Sequence, residues 1–269
     1  MVATDKLFAG SIPEIYDRFL VPLIFEPHAA DLAGRVAALA PSDVLETAAG
    51  TGVLTRALAE RLSPSAHLIA TDLNQPMIDQ AARRQPAGTA EWKQADALAL
   101  PFADRSFDVV ACQFGVMFFP DKVQGYKEAR RVLRPAGRFL FNVWDRLSEN
   151  EFPDVVTQAL ADVFPHDPPR FMARTPHGHH DVERITRDLK AAGFRDNAVE
   201  AVDARSKAPS ARHVAVAFCQ GTPLRSEIEA RDASRLEEAT QRAAQAVARR
   251  FGTNAVDGRI RALVVSASG

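Results

Sequence analysis

Apolar positions in this chain follow two rhythms. Short unbroken apolar runs end in an acid or a turn, and the segments between them repeat apolar residues at helical spacing. The first run ends at Glu46, inside VLETAAGTGVLTRAL at residues 44–58. Residues 67–71 form a second run ending at Asp72. Residues 90–94 read as a third strand, with Asp96 just beyond, and residues 107–114 and 138–143 as two more. Continuous apolar runs suit parallel strands covered on both faces. Helical spacing predicts helices over 31–39, from Asn74 and Pro76 onward, and over 122–133, 151–164, 182–192, 211–220 and 233–251. Strands alternating with helices predict an α/β, doubly wound sheet.

The loop after the first run is the most informative stretch. Glycines such as Gly50 and Gly52 let backbone approach a ligand closely, because no Cβ intervenes. The helix behind them offers unpaired N–H groups. A dinucleotide fingerprint would need a third glycine where Thr55 stands. Read backwards, an acid is followed by small residues at alternate positions: Glu46, Ala48, Gly50, Gly52. This series resembles motif I of the class I S-adenosylmethionine-dependent methyltransferases, with Ala48 where the family usually carries glycine. The later segments HLIATDLNQPMIDQ, WKQADALALPF, FDVVACQFGVMFF and YKEARRVLRPAGRFLFNVWD follow in the family's order. Their flavour resembles the UbiE-like branch, which methylates small molecules such as quinone precursors.

The resemblance implies a Rossmann-like methyltransferase sheet of seven strands, the last antiparallel, and S-adenosyl-L-methionine as cofactor. It implies cofactor contacts from Glu46, Ala48, Gly50, Gly52, Asp72, Leu73, Met77, Asp96, Ala97, Gln113 and Phe114. Asp72 would accept both ribose hydroxyls, Asp96 the adenine amino group, and the Gln113–Phe114 region would meet the methionine part. Met77 has two readings, against the adenine face or in plain helix-to-sheet core. Cys112 reads as inert core. The sequence around Phe194 resembles the family's entry to a sixth strand at 199–203, with the seventh at 259–266.

The remaining segments depart from the core pattern. Residues 1–43 comprise an aromatic N-terminal stretch and the first helix, and Tyr16 and Phe19 read either as lid residues or as core filling. The core spans 44–204 and 258–269. About fifty residues, 205–257, separate the last two strands, too many for a hairpin, so they should form their own helices. They read as a helical cap walling an acceptor pocket, with an oligomerisation arm joining a homodimer as runner-up. Tyr16, Phe19, Trp144, Phe171 and Phe218 would line the pocket, an apolar wall suited to a flat or lipophilic acceptor.

His177 and His179 lie in a Pro- and His-rich loop. They read as general bases, because imidazole titrates near neutral pH, or as parts of a polar loop whose Asp181 caps the next helix. No metal is expected, since the spacing is poor for three ligands on one ion.

Composition narrows the classes. A net charge of −1 over 269 residues argues against a general nucleic-acid binder. No apolar stretch approaches a membrane span. Two cysteines build no disulfide framework, which makes a reducing cytoplasm the expected location. The expected activity is in-line methyl transfer to a small organic acceptor, with O-, N- and C-methylation all open. A nicotinamide-dependent oxidoreductase and a non-catalytic S-adenosylmethionine-binding protein are the alternatives.

Overall fold

The computed structural model describes residues 12–86 and 88–269. Its strands are β1 (Asp43–Glu46), β2 (His67–Asp72), β3 (Glu91–Gln94), β4 (Phe107–Gln113), β5 (Leu133–Trp144), β6 (Asp196–Ala208) and β7 (Val256–Ser268). They form one seven-stranded sheet in the order β3-β2-β1-β4-β5-β7-β6. β1 lies parallel to β2 and β4, β2 to β3, and β4 to β5, whereas β7 runs antiparallel to β5. This is the Rossmann-like methyltransferase sheet. The strand order reverses beside β1, so the carboxyl ends of β1 and β4 border the crevice where doubly wound sheets bind ligands.

Most expected elements lie within a few residues of their observed bounds. β5 differs instructively. Pro135-Ala136-Gly137 reads in sequence as a tight turn before a strand at 138–143, yet the strand runs through it from Leu133. Leu133 pairs with Phe107 and Arg138 with Val109, so the extra residues form a bulge. A Cβ on Gly137 would lie 2.9 Å from the Asp108 carbonyl oxygen, so only glycine fits there. β6 is much longer than its expected core at 199–203. Its sequence DNAVEAVDARSKA spreads charges from Asp196 to Lys207, a weak signal for a buried strand that suits the edge of a sheet.

The chain divides into two compact units. One comprises residues 28–144, 179–202 and 262–269. Its core joins Leu32 and Val36 of the helix Glu26–Ala37 to Val44, Leu54, Val109 and Leu140, all fully or nearly buried. The second comprises the described residues up to Pro27 with 145–178 and 203–261.

The helices expected over 205–257 therefore share a unit with 145–178, which was read as part of the core. Packing explains the grouping. The Phe152 ring of the helix Glu151–Val163 meets Phe251 edge to face at 5.0 Å, and Arg259 N–H donates to the Glu151 carboxylate at 2.6 Å. Three helices fill the inserted region: Ala211–Gln220, Leu224–Asp232 and Leu236–Phe251. The middle one was not expected, because LRSEIEARD buries only Leu224 and Ile228.

The N-terminal stretch from Tyr16 to Phe25 is π-helical. Pro22 lacks the N–H that an α-helical ladder needs, and the Glu26 N–H reaches back five residues to the Val21 carbonyl. Residues 1–11 of the expected lid lie outside the described residues. Among the described residues, no helix is long and apolar enough to cross a membrane.

Candidate functional site

The loop after β1 is built from left-handed residues. Ala48, Gly50 and Gly52 have φ of 54°, 57° and 77°. Ala48 thus holds a conformation that favours glycine, which is the residue its resemblance would place there. Its methyl group fills a specific space: a Cβ on Gly115 would collide with the Ala48 Cβ and lie 2.7 Å from the Cys112 sulfur.

Glu46 is buried at the end of β1, where its carboxylate accepts a hydrogen bond from the Thr55 hydroxyl at 2.6 Å. Burial pushes its pKa up to about 8, against the opposing pull of the Thr55 bond. The Thr51 hydroxyl, in the same loop, is buried with no hydrogen-bond partner among the described residues.

Asp72 ends β2 beside this loop. Its carboxylate accepts from the Gly50 N–H at 2.9 Å and the Asn74 N–H at 2.8 Å. Burial raises its pKa, while those backbone bonds favour the charged form. Oδ1 also accepts from the Asn74 side-chain amide at 3.3 Å, a long bond that a ligand hydroxyl could replace, whereas Oδ2 keeps a lone pair to spare. Leu73 is exposed. Met77 is buried with Ile78 and Ala81 on the inward face of the helix Gln75–Arg83, so it packs as core without any ligand. Asp96 is exposed and accepts from the Leu98 N–H at 2.9 Å, and Ala97 beside it is half-buried.

Gly52 also has a packing role. A Cβ there would lie 2.7 Å from Gln85 Nε2 and 3.0 Å from the Trp92 ring. Its bareness therefore serves packing inside the protein, and not only room for a ligand.

Gln113 and Phe114 stand at the carboxyl end of β4, both buried. Phe114 has φ of 50°, and its N–H is received by the Asn142 side-chain oxygen at 3.0 Å. The Phe114 ring stacks on Trp144, with centroids 3.8 Å apart and planes 6° from parallel. His28 meets both rings edge-on, at 5.6 Å and 5.4 Å. Reading the sequence missed His28 and Asn142. Their only signals are a lone imidazole on an apolar helix face and a lone amide inside FLFNVW.

The two histidines expected as bases sit in different surroundings. His179 Nε2 lies 3.2 Å from the Tyr126 hydroxyl, and burial lowers its pKa to about 3. That makes it a poor proton acceptor near neutral pH. His177 is buried with Nδ1 2.8 Å from the Asp145 carbonyl oxygen. A carbonyl only accepts, so Nδ1 carries the proton and Nε2 is the basic nitrogen. Among the described residues, no group of three His, Cys, Asp or Glu side chains is placed to hold a metal ion.

The residues expected to wall the acceptor are divided between the two units. Trp144 belongs to the sheet unit, and Tyr16, Phe19, Phe171 and Phe218 to the other. Phe171 and Phe218 are among the largest fully buried side chains, so both serve as core. The Tyr16 ring lies 5.3 Å from Phe25, and Phe19 lies 4.7 Å from the His213 ring.

Comparison with known proteins agrees with this geometry. A methyltransferase-domain family model matches residues 44–137. The demethylmenaquinone methyltransferase of Deinococcus radiodurans is 30% identical over 216 residues, covering 72% of this chain and 85% of that protein. The chain belongs to the class I S-adenosylmethionine-dependent methyltransferases, in their UbiE-like branch. The ubiquinone/menaquinone biosynthesis C-methyltransferase UbiE of Hahella chejuensis is 42% identical over 172 residues, 58% of this chain and 68% of that one. Among solved structures, the YcgJ protein of Bacillus subtilis superposes with a TM-score of 0.56 at 18% identity, over 90% of this methyltransferase and 97% of that chain. The [4+2]-cyclase SpnF gives 0.55 at 18% identity, over 90% and 80%. Likeness at such low identity speaks for the fold alone.

Proposed function

We propose that this methyltransferase binds S-adenosylmethionine along the carboxyl ends of β1, β2 and β4 and methylates carbon on a small, flat, quinone-like acceptor. The observation that carries the cofactor half is Asp72, a buried carboxylate oriented by two backbone N–H groups at the end of β2. It would hold the ribose hydroxyls through its remaining lone pairs. The left-handed run at Ala48, Gly50 and Gly52 and the unpartnered Thr51 hydroxyl fit a loop that cradles a ligand. Asp96 and Ala97 would meet the adenine, with Leu73 and Met77 bordering it. Glu46, Gln113 and Phe114 would border the methionine part.

S-adenosylmethionine supplies a methyl group already activated on a sulfonium, for in-line displacement. The protein's task is then to position the acceptor, exclude water and take up a proton. The Phe114–Trp144 stack offers a planar apolar wall suited to a flat ring. Carbon methylation and the quinone-like acceptor follow the names of the relatives. His177, with its proton held on Nδ1, is the better of the two expected bases.

The test has two parts. Purified protein, labelled S-adenosylmethionine and demethylmenaquinone kept reduced as its quinol should give a labelled methylated quinol, the ring carbon attacking the methyl group and releasing its proton. Asp72→Ala should weaken S-adenosylhomocysteine binding by about 1.5–3 kcal/mol in calorimetry. Unchanged affinity in a folded variant would remove Asp72 from the site, and absent transfer with normal cofactor binding would remove the quinone.

A further inference from the structure

At the end of β4 opposite Gln113 and Phe114, and roughly 20 Å from them, the sheet unit carries a second concave site. β4 begins there just after Arg105, β5 begins there at Leu133, and β7 ends there at Ser268. The cavity has a volume of about 470 Å³. Its lining includes six cationic side chains: Arg105, Lys127, Arg130, Arg131, Arg134 and Arg195. The one acidic side chain among the lining residues is Asp104, and the backbone of Gly269 lines the cavity beside Arg130.

Two of the six are already engaged. Arg131 is paired with Asp104 and Glu128, each at 2.8 Å, and it also donates to the carbonyls of Leu100 and Phe102. Arg134 is paired with Asp43 at 2.8 Å and Asp108 at 2.6 Å. Arg105, Lys127, Arg130 and Arg195 are exposed and have no ion pair among the described residues.

The backbone brings these four charges together. The Arg105 N–H donates to the Arg131 carbonyl at 3.0 Å, and the Arg195 N–H donates to the Ser268 carbonyl at 3.0 Å. The Arg130 guanidinium lies over Gly193, where a Cβ would come within 3.2 Å of its Nε.

Like charges gathered in a concavity repel one another, and low-dielectric walls focus the field. An ordinary solvated face would spread them or intersperse acids, and this local excess stands in a chain whose totals nearly balance, 33 basic and 34 acidic residues. We propose that this cavity binds a small phosphate-bearing anion, separately from the cofactor and acceptor. Guanidinium forks match phosphate oxygens in pairs, and a multiply charged group offsets several cations at once. The concave shape and small volume suit a phosphate headgroup or a free phosphate compound rather than a nucleic-acid duplex.

Calorimetry on the full chain with inorganic pyrophosphate at two salt concentrations tests the site. Saturable binding that weakens with salt is expected. The Arg130→Glu/Arg195→Glu double variant should lose affinity at least about tenfold. Arg130→Gln/Arg195→Gln serves if the charge reversal does not fold, and S-adenosylhomocysteine affinity should be unchanged in either. Sedimentation with phosphatidylcholine vesicles, with and without phosphatidylglycerol, separates the two sources. Pyrophosphate-competed binding to the anionic vesicles identifies a lipid headgroup, whereas binding of free pyrophosphate alone identifies a soluble ligand. No saturable binding up to about 5 mM, equal affinity in the folded variants, or tighter binding to duplex DNA than to pyrophosphate at equal salt would overturn the proposal.

Discussion

The Thr55 hydroxyl donates to the buried Glu46 carboxylate at 2.6 Å, tying the first turn of the helix Val53–Ala59 to the end of β1. Thr55 occupies the place where a dinucleotide fingerprint would need its third glycine. Here a side chain is required, because it partners a buried acid. Thr55→Val should cost about 1–3 kcal/mol in urea unfolding, the penalty for leaving a buried polar group unpaired. Thr55→Ser should recover most of it. Equal stability of the Val and Ser variants would show that the bond contributes nothing.

Glu46 also makes stability depend on pH. Its folded pKa, about 8, lies above the ordinary value of 4.5. Below pH 4.5 it is protonated in both states and costs nothing. As pH rises, the unfolded chain ionises first, so stability falls until the folded carboxyl ionises near pH 8. Glu46→Gln should therefore gain stability relative to the parent as pH rises from 5 to 8. Parallel pH profiles of the two melting temperatures would exclude this.

His179 acts at the acid end. Its folded pKa, about 3, lies below the ordinary value of 6.5, chiefly through burial. Its contribution is present above pH 6.5 and is lost as pH falls toward 3, where the unfolded chain binds the proton more readily. His179→Phe should flatten the stability profile below pH 6.5, read by chemical denaturation at pH 4.5 and 7. An unaltered acid limb would assign it to other groups.

Ala48 and Gly115 should behave as a coupled pair. Ala48→Gly removes a left-handed alanine, whose penalty is about 1–2 kcal/mol. Gly115→Ala should destabilise the parent through contact with Ala48 and Cys112, and should cost less in the Ala48→Gly background. Rescue should be partial, because the Cys112 contact remains. Strict additivity in the double-mutant cycle would mean the two positions do not touch.

Phe218→Ala should lower stability by about 3–5 kcal/mol, the cost of emptying a buried aromatic site. It is buried in the helical unit, so its loss should shift the unfolding midpoint before it alters acceptor turnover. A near-normal midpoint with impaired turnover would return Phe218 to the acceptor wall.

Local pattern determined the alternation of strands and helices, the loop after β1 and the place of Asp72, while the seven-stranded sheet with its antiparallel strand followed from the resemblance. Apolar runs ending in an acid are set by residues close in sequence, and a strand buried on both faces leaves few alternatives for what lies at its end. Bounds blurred where local signals conflict: Pro135 reads as a turn but sits in a bulge, and the charges flanking 199–203 hide how far β6 extends along the sheet edge. Tertiary structure alone decided what each conspicuous side chain faces. Gly52 is bare because Gln85 and Trp92 crowd it, and Ala48 fits because Gly115 leaves room. Phe171 and Phe218 are core, His179 is held neutral against Tyr126, and His28 joins the Phe114–Trp144 stack. Each of these depends on contacts between residues distant in the chain, and hydrophobic periodicity does not say which buried partner a residue will meet.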